Sequence, residues 1–150
     1  MKLSKLLFFA LGLCIFASCG DDDKPSDQVL GTWNLDSVEF SDCDDSINND
    51  LEIYGDASCE DNGGEEECEN VTFTFTAPGT LVSVFTYTVD GEVDETETSN
   101  GTYSFSSSDD DELTICQFGD CITGTVSFSG SSMTLVGMDE GCVFTLKASK

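Results

Sequence analysis

Alternation of apolar and polar residues governs this chain from residue 29 onward. Val71-Thr-Phe-Thr-Phe-Thr76 alternates strictly, so Val71, Phe73 and Phe75 share one face of a strand and the threonines the other. Runs rich in aromatic and β-branched residues also occur at 30–40, 81–89, 92–106, 113–118, 122–128, 133–136 and 142–147. Trp33 and Leu35 are in phase in the first run, and the 81–89 run is apolar or β-branched throughout, which predicts contact on both faces. The 92–106 run is polar in its first half and then carries Tyr103 and Phe105. Turn residues punctuate the runs: Pro78-Gly79, Asp90-Gly91, the acidic stretch 109–112, Gly119-Asp120, Gly130-Ser131 and Asp139-Glu-Gly141. Only 41–70 breaks the pattern, being irregular and rich in Asp, Glu, Asn and Gly. The reading is all-β, with about eight strands and no long helix. Eight antiparallel strands joined by short turns suit a closed up-and-down barrel, which leaves no exposed sheet edge. A two-sheet sandwich is the alternative, and periodicity does not separate them.

The first residues follow a different rule. Lys2 and Lys5 precede an apolar stretch from Leu6 to Ala17, too short to span a bilayer as a stable helix. Ala17 and Ser18 lead into Cys19, after which Gly20-Asp21-Asp22-Asp23 begins a polar chain. This segment resembles the lipobox of bacterial lipoproteins, with Phe16 where that pattern usually has an aliphatic residue. The resemblance implies a signal peptide at 1–18, cleavage before Cys19, lipidation of Cys19 and attachment to a membrane by its acyl chains. Residues 19–28 then form a lipidated acidic tether, and 29–150 the folded domain. The run Asp21 to Asp23 is similar to the surface-export signal of Bacteroidota lipoproteins, which implies an outer-membrane protein facing the cell exterior; the periplasmic face is the alternative.

Charge narrows the partners. The whole chain carries 30 acidic residues, 5 basic residues and no histidine. Once the signal leaves, Lys24, Lys147 and Lys150 are the only cationic side chains, and the net charge is about −27. Such a surface repels phosphate backbones, which excludes nucleic acid, and anionic lipid head groups with it. It favours cationic partners or divalent ions, and its self-repulsion calls for staples in the fold. Six cysteines can supply them: Cys43, Cys59, Cys68, Cys116, Cys121 and Cys142. An even number in a small exported domain reads as three disulfides. Cys116 and Cys121 bracket a four-residue hairpin loop and suit one bridge. Cys43, Cys59, Cys68 and Cys142 are left for two more, which would tie the acidic 41–70 segment down and attach it to the last strand.

The order of short motifs adds a second resemblance. Gly31-Thr32-Trp33, Asp42-Cys43, Thr72-Phe73-Thr74-Phe75, Gly101-Thr102-Tyr103 and Met133-Thr134-Leu135 follow the course of the small lipocalin-like domains of Bacteroidota lipoproteins. The resemblance covers about 30–148 and implies an eight-stranded barrel or half-open barrel. In lipocalins an arginine late in the chain packs across the first-strand tryptophan. This chain has no arginine, and Lys147 is the expected substitute over Trp33.

Catalytic chemistry is poorly represented. Without histidine no Ser-His-Asp or Cys-His unit can form, and no glycine pattern makes a phosphate loop. The reading is non-enzymatic, with no cofactor. Calcium is weighed at the acidic clusters, Asp42, Asp44 and Asp45 first, although their spacing fits no EF-hand loop and runs of acids are commonly solvated. Trp33, Phe73, Phe75, Phe85 and Tyr103 mark the candidate ligand or core face. Two functions follow: a surface barrel binding a small apolar ligand or a protein partner, or an interaction module filled by its own aromatic residues. A calcium-dependent adhesive protein is the third.

Overall fold

The computed structural model describes residues 24–43 and 50–150. Cys19, Asp44 and Asp45 lie outside the described residues. A single turn of helix, α1 (Pro25–Gln28), is followed by ten strands. They are β1 (Gly31–Ser41), β2 (Asp50–Ile53), β3 (Glu60–Asp61), β4 (Glu66–Thr76) and β5 (Thr80–Val89), then β6 (Glu92–Phe105), β7 (Glu112–Gln117), β8 (Asp120–Ser129), β9 (Ser132–Asp139) and β10 (Cys142–Ser149). All pairings are antiparallel, and β1 meets both β10 and β4, which closes an eight-stranded barrel from β1 and β4–β10. The barrel, rather than the sandwich, is therefore the observed architecture.

The meander gives the barrel two unlike ends. At one end lie the starts of β1, β5, β7 and β9, together with α1. We call it the closed end. Here Val29, Trp33, Phe75, Leu81, Leu113, Met133 and Leu135 are at most 2% exposed and pack as one core. The Trp33 ring lies 5.8 Å from that of Phe128, and Tyr103 meets Phe75 edge-on at 5.1 Å. The Trp33 indole N–H donates to the Val29 carbonyl at 2.7 Å, so the residue that plugs the barrel floor is also hydrogen-bonded to it.

α1 lies within the segment 19–28 that the sequence reading takes as a tether, and its four residues form a turn of helix. Pro25 opens the turn with its φ already set, and the Val29 N–H donates to the Pro25 carbonyl at 3.0 Å. Burial of Val29 then holds the turn against the barrel. A correction concerns the lysine over Trp33. Lys147 sits on β10 between Leu146 and Ala148, which face inward, so its side chain points to solvent. Lys150, just beyond β10, instead places Nζ 4.2 Å from the Trp33 ring and donates to the Leu30 and Gln28 carbonyls at 2.8 and 3.2 Å.

The other end, the mouth, is where β1 and β4 part. Gly31 to Asn34 pair with β4, but Ser37 to Phe40 pair with β2. On the other side of the split, β3 pairs with Glu66 and Glu67 of β4. The described part of the insert, 50–65, fills the gap as a wedge. The Tyr54 N–H donates to the Asp36 carbonyl at 3.0 Å, and the Ser58 hydroxyl bonds both backbone groups of Glu69 at 2.9 Å. These bonds satisfy strand edges that the split would otherwise leave open. The irregular 41–70 segment of the sequence reading thus contains β2, β3, a 3₁₀ turn (Gly55–Ser58) and the first half of β4.

Three disulfides join Cys43 to Cys142, Cys59 to Cys68 and Cys116 to Cys121. All three lie at the mouth. The first ties the end of β1 to the start of β10, the second ties the wedge to β4, and the third crosses the β7–β8 hairpin.

Candidate functional site

Following the inner wall from floor to lip shows why the mouth is hollow. Residues paired directly across antiparallel strands share a face. On β4, β5 and β6 the inward rows read Phe75–Leu81–Gly101, then Phe73–Ser83–Ser99, then Val71–Phe85–Glu97, and finally Glu69–Tyr87–Glu95 at the lip. Phe75 and Leu81 of the first row are buried and help fill the barrel. In the second row two serines face Phe73, and the volume they leave opens a cavity of about 510 Å³. That volume falls within the usual range for small-molecule sites. Leu35, Val71, Phe73 and Phe85 supply its apolar wall, and Ser83, Ser99 and Gln117 its polar spots. Tyr54, at the edge of the wedge, also lines it, as do Glu97, Thr98 and Phe118.

The polar spots are organised. The Gln117 side-chain amide donates to the Ser83 hydroxyl at 2.9 Å, which satisfies the one buried polar side chain of the described core. Gly101 makes this contact fit. A Cβ there would collide with the Cys116 carbonyl oxygen and the Gln117 side chain, both on β7. Gly101→Ala is therefore expected to push β7 and Gln117 aside and lower the unfolding free energy by about 2 kcal/mol, measurable by urea denaturation. An unchanged midpoint would refute the close-contact account.

Phe118 breaks a local rule. It is 86% exposed and occupies a left-handed conformation at φ 56°, followed by Gly119 at φ 96°. Two central residues at positive φ match the type I′ hairpin turn, whose first position suits Asn or Asp and penalises a bulky side chain. The disulfide between Cys116 and Cys121, paired opposite each other, anchors the base of this two-residue tip. The result is an aromatic ring held in solvent at the cavity rim. Phe118→Asn is expected to raise stability by about 1 kcal/mol while weakening occupancy of the cavity. Thermal unfolding with a fluorescent apolar probe reads both, and a loss of stability would contradict this reading.

Carboxylates crowd the lip. Glu52 accepts from the Tyr54 hydroxyl at 2.7 Å, and burial, then Glu52 and Glu69, push that phenol far above its ordinary value. Tyr87 is pushed up to about 12 from 10.0, chiefly by a hydrogen bond to Glu67, with Asp94 and Glu69 adding repulsion. Both phenols hold their protons longer in the folded protein than in the unfolded chain. Their stabilisation is thus full below pH 10 and is lost as the pH rises through the folded values. A titration at 295 nm should show two late tyrosines, which return to the ordinary range in denaturant. Ordinary titration of Tyr54 and Tyr87 in the folded protein would contradict the lip field.

The candidate ligand face separates into two groups. Trp33, Phe75 and Tyr103 belong to the packed closed half, whereas Phe73 and Phe85 line the cavity. Sequence reasoning missed Gln117, Ser83, Ser99 and Glu97. Their only signal was polarity at inward positions of otherwise apolar strands. No protein-family model, no curated protein and no solved structure matches this chain.

Elsewhere the acidic residues have local work. Asp61 accepts from the Gly64 N–H at 2.8 Å, Asp90 from the Glu66 N–H at 3.0 Å, and Asp109 from the Asp111 N–H at 3.2 Å. Each closes a turn. Asp42 is exposed at the end of β1, at φ 50°. Among the described residues, Cys59, Glu66 and Cys68 bring potential metal-ligating atoms within 4.8 Å of one another, but both sulfurs are spent in the disulfide. A thiolate ligand set is therefore not available there in the oxidised protein.

Proposed function

We propose that this chain is a non-enzymatic surface lipoprotein, anchored through Cys19 in the outer membrane, whose barrel mouth binds a small apolar molecule. The observation that carries this reading is the cavity of about 510 Å³, open to solvent and walled by Leu35, Val71, Phe73 and Phe85. The course of the chain supports it. Lys24 and α1 sit at the closed end, and five residues back to Cys19 reach at most about 18 Å. Lipid on Cys19 would thus hold the closed end near the membrane and turn the mouth toward the medium. The three disulfides at the mouth keep its rim in shape in an oxidising environment.

The test uses the mature chain with its disulfides formed. Pyrenylmethanol, a neutral fluorescent probe, is expected to bind saturably at one site per chain. Ser99→Trp, which fills the cavity from its inner wall, is expected to abolish binding without unfolding the protein. Absence of saturable binding, or binding indifferent to Ser99→Trp, would sink the cavity reading. The anchor is tested separately, by palmitate labelling of the wild type and of Cys19→Ala in a lipoprotein-processing bacterium. Equal labelling would remove Cys19 from the account.

A further inference from the structure

The cavity has a chemical polarity that selects among apolar molecules. Its inner wall runs from phenylalanines through two serines to glutamates. Glu97 stands beside Phe85 on the inward face, and Glu69 and Glu95 flank Tyr87 one row nearer the solvent. Both neighbouring phenols are pushed above their ordinary values, Tyr54 by burial first and then by Glu52 and Glu69, and Tyr87 chiefly by its hydrogen bond to Glu67. Among the described residues the cationic side chains sit elsewhere. Lys24 and Lys150 are at the closed end, and Lys147 points outward from β10. Among the described residues nothing positive therefore neutralises the lip. A bound anion would meet repulsion with no compensating cation, while a neutral molecule would leave the field unused.

Resting on the cavity reading above, we propose that the occupant is a small organic ammonium: an apolar body seated against Val71, Phe73 and Phe85, with its positive charge at Glu97, Glu69 and Glu95. Two kinds of group then face the charge. Carboxylates attract it, and the aromatic rings of Phe85 and the exposed Phe118 offer faces that stabilise a partly desolvated ammonium. Both contributions are individually modest at an exposed lip, since water and salt screen them. Their sum is nonetheless directional. It favours a cation over an isosteric alcohol and disfavours the matching acid.

Three isosteric probes test this on the disulfide-bonded mature protein: pyrenylmethylamine, pyrenylmethanol and pyrene carboxylate. The amine is expected to bind about tenfold more tightly than the alcohol at low salt, and the carboxylate more weakly than either. The preference should shrink as ionic strength rises. Glu69→Gln, Glu95→Gln and Glu97→Gln together should erase the amine's advantage over the alcohol. A control with the same change in net charge at the opposite end, Asp110→Asn, Asp111→Asn and Glu112→Gln, should leave the preference intact. If the control lowers the amine's affinity as much as the lip variant does, the effect is bulk charge and the inference falls. Equal binding of amine and alcohol to the wild type also overturns it, while leaving the apolar cavity standing. Failure of all three probes to bind overturns the cavity reading and the inference together.

Discussion

Replacing Cys43 and Cys142 together with alanine is expected to lower the unfolding free energy by about 5 kcal/mol. The bridge spans a sequence separation of 99 residues, the longest of the three. In the chain-entropy account a cross-link stabilises by restricting the unfolded chain, and the effect grows with the logarithm of the loop it closes. The bridge from Cys116 to Cys121 spans a separation of 5, and its removal should cost only about 2 kcal/mol. A domain of this size has about 5–15 kcal/mol in hand, so losing the long bridge leaves it near its threshold. Urea unfolding of the two double variants measures the contrast. Equal losses would show that native-state contacts at the mouth, rather than loop length, set the value of these bridges. The same variant should weaken probe binding, because Cys43 and Cys142 hold the end of β1 against β10 at the rim.

Trp33→Ala should cost about 4 kcal/mol. The side chain is 1% exposed, packs on Phe128, donates its N–H to Val29 and lies under Lys150. Its removal empties the largest buried volume at the closed end and strips the Val29 carbonyl of a partner. Trp33→Phe restores part of the volume but not the hydrogen bond, so about half the loss should remain. Lys150→Gln should cost about 1 kcal/mol, the value of a cation over a buried indole. Thermal unfolding orders the three variants. Because Trp33 and the cavity lie at opposite ends, Trp33→Ala should bind pyrenylmethanol normally wherever it remains folded. A parallel loss of binding would mean that the two halves of the barrel are not independent.

The strands of the barrel were legible because their signal is local. Strict alternation at Val71 to Thr76, together with X-Gly pairs such as Asp90-Gly91, specifies strands and two-residue turns without reference to the rest of the chain. The hairpin geometry around Cys116 and Cys121 was equally local, because a tight turn brings its flanks together whatever surrounds it; the loop is two residues, Phe118 and Gly119, rather than the expected four. The wedge was not legible. β2 and β3 are short, carry several acidic residues and show no clean period; they form because the parted edges of β1 and β4 need partners. Such a demand exists only once the barrel has closed. The choice of Lys150 over Lys147 turns on the same difference. Both lysines lie near the chain's end, but strand phase sends one outward and leaves the other free to fold back across the floor.

By itself the sequence determined the strand count of the barrel, the antiparallel order, the acidic surface and the availability of six cysteines for bridging. Each of these depends on neighbouring residues or on composition. Only the tertiary structure decided which inward positions meet at the same height. Ser83 and Ser99 read as ordinary polar residues in their strands, and Glu97 as one more acid in a polar run. Register sets the serines opposite Phe73 and the glutamate beside Phe85, so that a filled floor gives way to a hollow mouth with a negative lip. Whether a barrel is solid or open depends on the summed side-chain volume across one layer, and that sum is taken over strands far apart in the chain.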